Sequence, residues 1–208
     1  EQMLTWKLST FGRHLKSGDI IYESACGIGL NLLMTLDLLD EHLGITNLTV
    51  YGNDYLEESV NTANKILEAA ISSPDQRIIE RLGSKKGSIC WGDSTNLEFV
   101  PSDAFDLVFT GYIDPLVDPL NLGANLTSFR QKEKVDIENC KSKDPEKQDL
   151  AKKSQKAQED WFSSWVKEMI RLAKPGKRII IEEVAPPICT NLDDWGGVTT
   201  AWWTKAII

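Results

Sequence analysis

The sequence lacks several features that would point to a membrane or nucleic-acid role. No apolar run approaches the roughly 20 residues that a helix needs to cross a bilayer. The net charge is −8, which disfavours a nucleic-acid backbone as the main partner unless a separate basic face exists. Only two histidines are present, and we expect surface or helix-capping roles for His14 and His42. The sequence therefore predicts no membrane partner, no nucleic-acid partner and no histidine base.

Cysteine is also scarce. The four cysteines are Cys26, Cys90, Cys140 and Cys189. They lie far apart with no C-x-x-C pair, which disfavours a zinc site or a disulfide framework and predicts reduced thiols in a cytoplasmic protein without a bound metal. With no signal peptide, we interpret the N-glycosylation patterns at 47–49 and 125–127 as chance matches. Because the chain begins at Glu1 rather than Met, removal of a leader peptide stays an open alternative.

The size and composition fit a single globular domain over residues 1–208. The chain is 41% hydrophobic and 26% charged, as in ordinary folded proteins. Short apolar runs predict strands at 18–24, 48–54, 87–93, 105–112 and 177–184. Helical patterns lie at about 29–43 and 56–71, and a long helix is predicted from Pro145 to the helix stop "AKPG" at 173–176. This alternation predicts an α/β, Rossmann-like, doubly wound fold with a mainly parallel sheet and helices on both faces.

Two segments outside the regular strand and helix pattern, and the exposed or buried faces of two helices, can also be predicted. Residues 1–17 are predicted to form an N-terminal helical lid, and residues 119–160 a helical and loop insertion on the substrate side after the fourth strand. The lysines at 141–156 are interspersed with acids, which indicates a solvated helix face. The first long helix is predicted to bury one apolar side, made of Leu30, Leu33, Met34, Leu36 and Leu38.

A glycine loop follows the first predicted strand in "IIYESACGIGLNL", residues 20–32. A dinucleotide-binding loop needs G-x-G-x-x-G, but Leu32 stands where the third glycine belongs. In another frame the pattern is acid-x-small-x-Gly-x-Gly, formed by Glu23, Ala25, Gly27 and Gly29. Acids that end the first three strands could each also be a helix cap.

This second frame resembles motif I of the class I S-adenosylmethionine-dependent methyltransferases, with Ala25 in place of the first glycine. The resemblance implies a cofactor-binding loop made of Glu23, Ala25, Cys26, Gly27, Gly29 and Asn31. S-adenosylmethionine, whose product is S-adenosylhomocysteine, carries an ammonium and a sulfonium but no phosphate. An acid at the end of the first strand suits that charge, whereas a phosphate-binding loop does not.

Motifs after the second and third strands resemble the same family. "VYGNDYLEESVNTAN" implies that Asp54 binds the ribose hydroxyls and that Tyr55 flanks the adenine. "GDSTNLEF" implies that Asp93 accepts the adenine amino hydrogens, with Gly92 and Ser94 beside it.

The fourth and fifth strands continue the resemblance. "FDLVFTGYIDPL" is similar to the fourth-strand motif that lines the methyl-transfer point, which implies that Thr110 and Gly111 bind the cofactor. "MIRLAKPGKRIIIEE" is similar to the helix, turn and strand that follow. The usual N-P-P-Y form is absent, which disfavours amide or exocyclic base nitrogen as the acceptor. The sequence leaves no room for the family's last strand hairpin, which we expect to lie beyond residue 208; a shorter sheet is the alternative.

Candidate acceptor-side residues come from the same region and from the tryptophan-rich segments. Tyr112 and Asp114 are the catalytic candidates for proton handling or acceptor orientation, with Glu183 nearby; each could instead be a hydrogen-bonded loop residue. The substrate-side set is Tyr112, Arg130, Trp161, Trp195 and Trp202. An aromatic wall would attract a sulfonium or quaternary ammonium group, while core packing and a surface arginine are the alternatives.

Together these features favour a small-molecule methyltransferase. Methyl transfer needs alignment and exclusion of water, and a base only for an acceptor that carries a proton. A thioether or an amine therefore suits a site without histidine. The amino-acid sequence of the motifs also resembles a eukaryotic algal type of methyltransferase. Some enzymes of that type act on methylthio-hydroxy acids. The alternatives are an NAD-dependent oxidoreductase, a non-catalytic cofactor-binding scaffold, and a protein or RNA methyltransferase.

Overall fold

A computed structural model of the chain describes residues 2–76, 87–113, 138–184, 189 and 197–207. The strands are β1 (Ile20–Ser24), β2 (Thr49–Asp54), β3 (Ile89–Trp91), β4 (Phe105–Thr110) and β5 (Ala173–Ile181). The helices are α1 (Gln2–Phe11), α2 (Leu30–Leu43), α3 (Glu57–Ile71), α4 (Pro145–Leu172) and α5 (Thr200–Ile207).

The contacts of the chain divide it into two compact units. The first combines Glu1–Ile113 with Glu168–Glu183, and the second combines Asp114–Lys167 with Val184–Ile208. The single domain, the lid role of residues 1–17 and the substrate-side role of residues 119–160 stay predictions, although α1 is helical as expected.

The first unit contains a five-stranded sheet in the order β3-β2-β1-β4-β5, and every strand pair is parallel. Ile21 of β1 lies between Val50 of β2 and Leu107 of β4. The strand order reverses between β1 and β4, which makes their carboxyl ends the topological switch point. The predicted Rossmann-like α/β fold is confirmed.

Helix α2 packs on this sheet with a different face from the one predicted. Leu32, Leu36 and Leu39 are buried, whereas Leu30 and Met34 are 58% and 43% exposed. The prediction is wrong for Leu30 and Met34 because leucines occur all around this helix. A pattern that is apolar on several sides cannot fix the rotation of a helix, which tertiary packing decides.

The junction of α4 and β5 also departs from the prediction. Helix α4 ends at Leu172, next to the predicted stop, but β5 begins at once with Ala173. Pairing with β4 shifts between Ala173 and Arg178, and Gly176 has a φ of 77°. The predicted helix stop "AKPG" therefore lies inside an irregular first half of the strand, where an extra stretch of chain is accommodated.

The second unit contains a disulfide bond between Cys140 and Cys189. The expectation of reduced thiols is wrong for this pair and holds for Cys26 and Cys90, which are free. The two bonded cysteines are 49 residues apart, so no local spacing could identify them. None of the helices in the described ranges is both long and apolar enough to cross a membrane.

Candidate functional site

A cavity of about 690 Å³ opens at the switch point of the sheet, beside the carboxyl ends of β1 and β4. Its volume falls in the range of about 300–1,000 Å³ that is usual for small-ligand sites. It is lined by Trp6, Lys7, Glu23, Ala25, Cys26, Gly27, Asn31, Gly111, Tyr112, Glu182 and Glu183. All of these residues belong to the first unit.

The loop between β1 and α2 forms one wall and has an unusual backbone. Ala25, Gly27 and Gly29 have φ values of 54°, 54° and 78°, in the left-handed region that glycine adopts without strain. The Gly27 N–H donates to Oδ2 of Asp54 at 2.8 Å, which ties the loop to the end of β2. Ala25 is therefore the one position of the three where a side chain makes this conformation costly.

Glu23 is the next-to-last residue of β1, lines the cavity and is only 1% exposed. Its Oε1 accepts a hydrogen bond from Nδ2 of Asn31 at 2.7 Å, whereas its buried Oε2 has no partner among the described residues. Burial raises the pKa of Glu23 to about 8; the Asn31 bond, the charge of Lys7 and a backbone hydrogen bond from Gly111 oppose this effect, and Glu182 adds to it. Glu23 thus holds a proton at neutral pH until a positive group comes close.

Asn31 reaches Glu23 because position 111 is glycine. A Cβ atom on Gly111 would lie 2.5 Å from Nδ2 of Asn31 and 3.2 Å from Oε2 of Glu182. Asn31 also donates to Oε2 of Glu182 at 3.2 Å. One amide therefore bridges the carboxyl groups at the ends of β1 and β5.

Lys7 on α1 completes this network. Its Nζ lies 2.6 Å from Oε1 of Glu182 and 2.8 Å from Oδ1 of Asn31. The sequence reasoning missed Lys7 and Trp6, since nothing in the pattern of α1 sets them apart. The sequence predicts a possible role for Glu183, whereas its neighbour Glu182 makes the contacts with Lys7 and Asn31.

The Cys26 thiol is a poor nucleophile in this setting. Burial raises its pKa well above the ordinary value, and the negative charges of Glu23 and Asp54 add to the effect. Because the thiolate is the reactive form, Cys26 acts here as a packed wall residue. No group of three or more His, Cys, Asp or Glu that could hold a metal ion occurs in the described ranges.

The predicted residues at the ends of β2 and β3 do not line the cavity. Asp54 is buried, and its Oδ1 accepts the N–H of Leu56 at 2.9 Å, so both of its oxygens already bind backbone. Asp93 accepts the backbone N–H and the hydroxyl of Thr95, both at 2.9 Å. Tyr55 is exposed, and its carbonyl accepts a hydrogen bond from the Trp91 indole. Their predicted roles stay predictions.

Other predicted cofactor residues have structural contacts. Ser94 is buried and joins Ser24 at 3.0 Å and Asn53 at 2.8 Å, so it binds neighbouring strand ends together. Gly92 lies against the Phe99 ring, Gly29 begins α2 as its N-cap, and neither lines the cavity. Thr110 is fully buried, and its hydroxyl has no hydrogen-bond partner among the described residues.

The acceptor-side predictions separate into three groups. Tyr112 lines the cavity and is 49% exposed. Trp161 and Trp202 belong to an aromatic cluster in the second unit, which runs through Phe162, Trp165 and Trp203 with edge-on ring contacts. Asp114, Arg130 and Trp195 lie outside the described residues.

The chain was compared with known proteins. No protein-family model matches the sequence, and no curated protein matches it. Among solved structures, a "possible exported protein" from Bordetella parapertussis has a TM-score of 0.53 at 13% identity, with 99% of this chain and 58% of that chain covered.

Two other similar structures are named as methyltransferases. An S-adenosylmethionine-dependent methyltransferase from Aquifex aeolicus has a TM-score of 0.43 at 16% identity, with coverage of 84% and 62%. Phosphoethanolamine N-methyltransferase 2 from Haemonchus contortus, in complex with S-adenosylmethionine, has a TM-score of 0.43 at 15% identity, with coverage of 85% and 27%. This chain spans less than two thirds of each of the three proteins. The likeness shows the fold alone.

Proposed function

We propose that this chain is an S-adenosylmethionine-dependent methyltransferase that acts on a small molecule. The observation that carries the proposal is the buried carboxyl of Glu23, which lines a ligand-sized cavity at the switch point of a Rossmann-like sheet and whose Oε2 has no hydrogen-bond partner among the described residues. A positive group is the partner that such a carboxyl needs, because an ammonium both donates a hydrogen bond and favours the ionised form. S-adenosylmethionine carries an ammonium of this kind.

The charge of the cavity argues for this cofactor over a dinucleotide. Glu23, Glu182 and Glu183 line the cavity, and Lys7 is the one lysine among the described residues of the lining. A pyrophosphate would meet the like charge of Glu183 there, and Lys7, already paired with Glu182, is not free to balance it. The alternative of an NAD-dependent oxidoreductase is therefore disfavoured.

When bound, S-adenosylmethionine supplies an electrophilic methyl group on a positively charged sulfur. Glu23 would hold the ammonium end, with Asn31 fixing the direction of its carboxylate. The backbone of the Ala25–Gly27 loop and Gly111 would border the reacting centre and help to align the acceptor with the methyl group.

We further propose an acceptor that becomes positively charged, either a thioether such as a methylthio-hydroxy acid or an amine. Tyr112 and Trp6 give the cavity exposed aromatic surface, and Glu183 gives it a carboxylate. Aromatic faces and carboxylates both attract a sulfonium or a quaternary ammonium product. The algal type of enzyme stays part of this proposal, as does the role of Arg130, Trp161, Trp195 and Trp202 on the acceptor side.

The expected location and partners are proposals as well. A small-molecule substrate agrees with the net charge of −8, which disfavours a nucleic-acid partner. The cytoplasmic location stays a prediction, and the Cys140–Cys189 disulfide counts against it because the cytosol keeps most thiols reduced.

Calorimetric titration with S-adenosylhomocysteine and with NAD tests the cofactor. We expect S-adenosylhomocysteine to bind and NAD not to bind, and binding of NAD alone would refute the proposal. Transfer of a radiolabelled methyl group to a panel of thioethers and amines, with phenols and carboxylates for comparison, tests the acceptor. Tight cofactor binding with no transfer to any of them would favour the non-catalytic scaffold. Salt-sensitive binding of RNA or of a protein would favour a macromolecular acceptor.

A further inference from the structure

Lys7 is buried to a degree that is rare for lysine. Only 3% of the residue is exposed, although it belongs to the N-terminal helix α1. Its Nζ pairs with Glu182 at 2.6 Å, donates to Asn31 at 2.8 Å and lies 3.5 Å from the Thr35 hydroxyl. It also lies 5.5 Å from the centre of the Phe11 ring. Oxygen atoms of three protein side chains therefore lie within 3.5 Å of the Lys7 ammonium.

These contacts fix the orientation of Asn31. The amide oxygen of Asn31 faces the Lys7 ammonium, so its NH₂ group must face the carboxyl groups of Glu23 and Glu182. Without Lys7, that amide would lose the positive group that distinguishes its two ends. Lys7 also balances the charge of Glu182, which would otherwise repel a negative charge on Glu23.

We propose that Lys7 is a positioning residue that makes α1 a part of the ligand site, because it orders Asn31 and balances Glu182 around Glu23. The two short contacts of the Lys7 ammonium are to Glu182 and Asn31, and it acts through these side chains. The identity of the ligand in this inference rests on the proposed function, because that function places a cation-bearing ligand such as S-adenosylhomocysteine at Glu23. Docking of α1 and binding of that ligand then stabilise each other.

The charged and titratable groups that bear on Glu23 come from several elements. They are Lys7 on α1, Glu182 after β5 and the Cys26 thiol in the glycine loop. Loss of Lys7 removes the one positive charge among these groups, so that only the hydrogen bonds from Asn31 and from the Gly111 backbone still favour a negative charge on Glu23. The ionisation of Glu23 is therefore the readout that separates positioning from a merely structural role.

The test compares Lys7→Met and Lys7→Arg with Lys16→Met, whose exposed lysine lies outside α1 and the cavity lining. We expect Lys7→Met to weaken binding of S-adenosylhomocysteine at least tenfold at pH 7 and to move the pH dependence of binding to higher pH. Lys7→Arg, which keeps the charge, should recover most of the affinity, and Lys16→Met should bind like the wild type. Unchanged affinity and an unchanged pH profile in Lys7→Met would overturn the proposal.

A ligand-free measurement separates this inference from the proposed function. Carboxyl ¹³C NMR should show that Glu23 titrates at higher pH in Lys7→Met than in the wild type, whatever ligand the site takes. If the wild type does not bind S-adenosylhomocysteine, the proposed function fails, and equal Glu23 titration in both proteins would refute the role of Lys7. Should Lys7→Met not fold, hydrogen exchange of the wild type decides: bound ligand should slow exchange in α1, and equal exchange rates would contradict the coupling.

Discussion

Replacing Glu23 with glutamine should stabilise the free protein and at the same time weaken its binding of S-adenosylhomocysteine. Glutamine has the shape of a protonated glutamate, and its carbonyl can still accept the hydrogen bond from Asn31. What it removes is the proton equilibrium of a buried carboxyl group. The substitution therefore separates the stability effect of Glu23 from its expected role in binding.

The size of the effect follows from the pKa. The carboxyl of Glu23 has an ordinary pKa of 4.5 and a pKa of about 8 in the folded protein. Below pH 4.5 both states are protonated and nothing is lost; as pH rises from 4.5 to 8, only the unfolded state releases the proton, so the free energy of unfolding falls. At about 1.4 kcal/mol per pH unit, the loss is about 3 kcal/mol at pH 7 and about 5 kcal/mol above pH 8.

The measurement is urea unfolding at pH 4.5, 7 and 8.5. Hydrogen exchange of the amides in β1 and β4 is the observable, so that the first unit is measured by itself. Glu23→Gln should match the wild type at pH 4.5 and exceed it by about 3 kcal/mol at pH 7. Glu41→Gln, at an exposed position near the end of α2, should stay within about 0.5 kcal/mol at every pH. A Glu23→Gln variant that is less stable at pH 7, or that keeps the pH slope of the wild type, would refute the reasoning.

Binding supplies the second half of this prediction. Loss of the charged partner should reduce the affinity for S-adenosylhomocysteine at least about tenfold, as expected for a charge-assisted hydrogen bond. In the wild type, binding at pH 7 should release a proton from Glu23, because an ammonium favours the ionised carboxylate. Calorimetry in buffers with different ionisation enthalpies measures that proton, and its absence would show that the ligand does not bind at Glu23.

Further substitutions test the surroundings of the cavity and the second unit. Ala25→Gly should change the free energy of unfolding by less than about 0.5 kcal/mol, because the relief of backbone strain at φ 54° offsets the greater freedom of the unfolded chain. Ala25→Val should lower the free energy of unfolding by more than about 1 kcal/mol. Urea unfolding measures both variants. Gly111→Ala should weaken binding of S-adenosylhomocysteine about tenfold in calorimetry, since its Cβ would displace Asn31. Cys140→Ser opens a link between residues 49 apart and should lower the free energy of unfolding of the second unit by up to about 4 kcal/mol, with no further loss under reducing conditions. Arg171→Met removes bonds to Glu168, Ser102 and the carbonyls of Leu97 and Val100, so unfolding of the first unit should need about 3 kcal/mol less.

The sheet could be predicted from the sequence because its signal is local. The apolar centres of β1, β2 and β4 are bounded by polar or glycine residues, and their structural bounds lie within two residues of the predicted ones. The strand order places Glu23 and Gly111 together, as the α/β switch-point rule implies. The loop geometry agrees as well, since Gly27 and Gly29 have the positive φ values that glycine favours.

The rest depends on contacts between distant parts of the chain. Lys7 meets Glu182 across 175 residues of sequence, and Cys140 meets Cys189 across 49. No periodicity carries such information, so α1 could be predicted as a helix but not as the source of a buried cation. The prediction of the buried face of α2 failed for a related reason. Only packing against the sheet decides that Leu32 is buried and Leu30 is exposed.

A second buried carboxylate in the same sheet shows why Glu23 indicates function. Asp106 of β4 binds Nζ of Lys174 at 2.7 Å, Nζ of Lys177 at 3.1 Å and the N–H of Ile20 at 3.1 Å. Although burial alone would raise its pKa, these bonds lower the pKa to about 2, so Asp106 stays ionised and stabilises the fold at neutral pH. Glu23 is buried more deeply, with 1% of the residue exposed against 8% for Asp106; one of its oxygens has no partner among the described residues, and burial raises its pKa. The sheet can thus satisfy a buried acid where it serves the fold, and an acid left unsatisfied at the cavity, beside the strained Ala25, is best explained by a ligand that completes it.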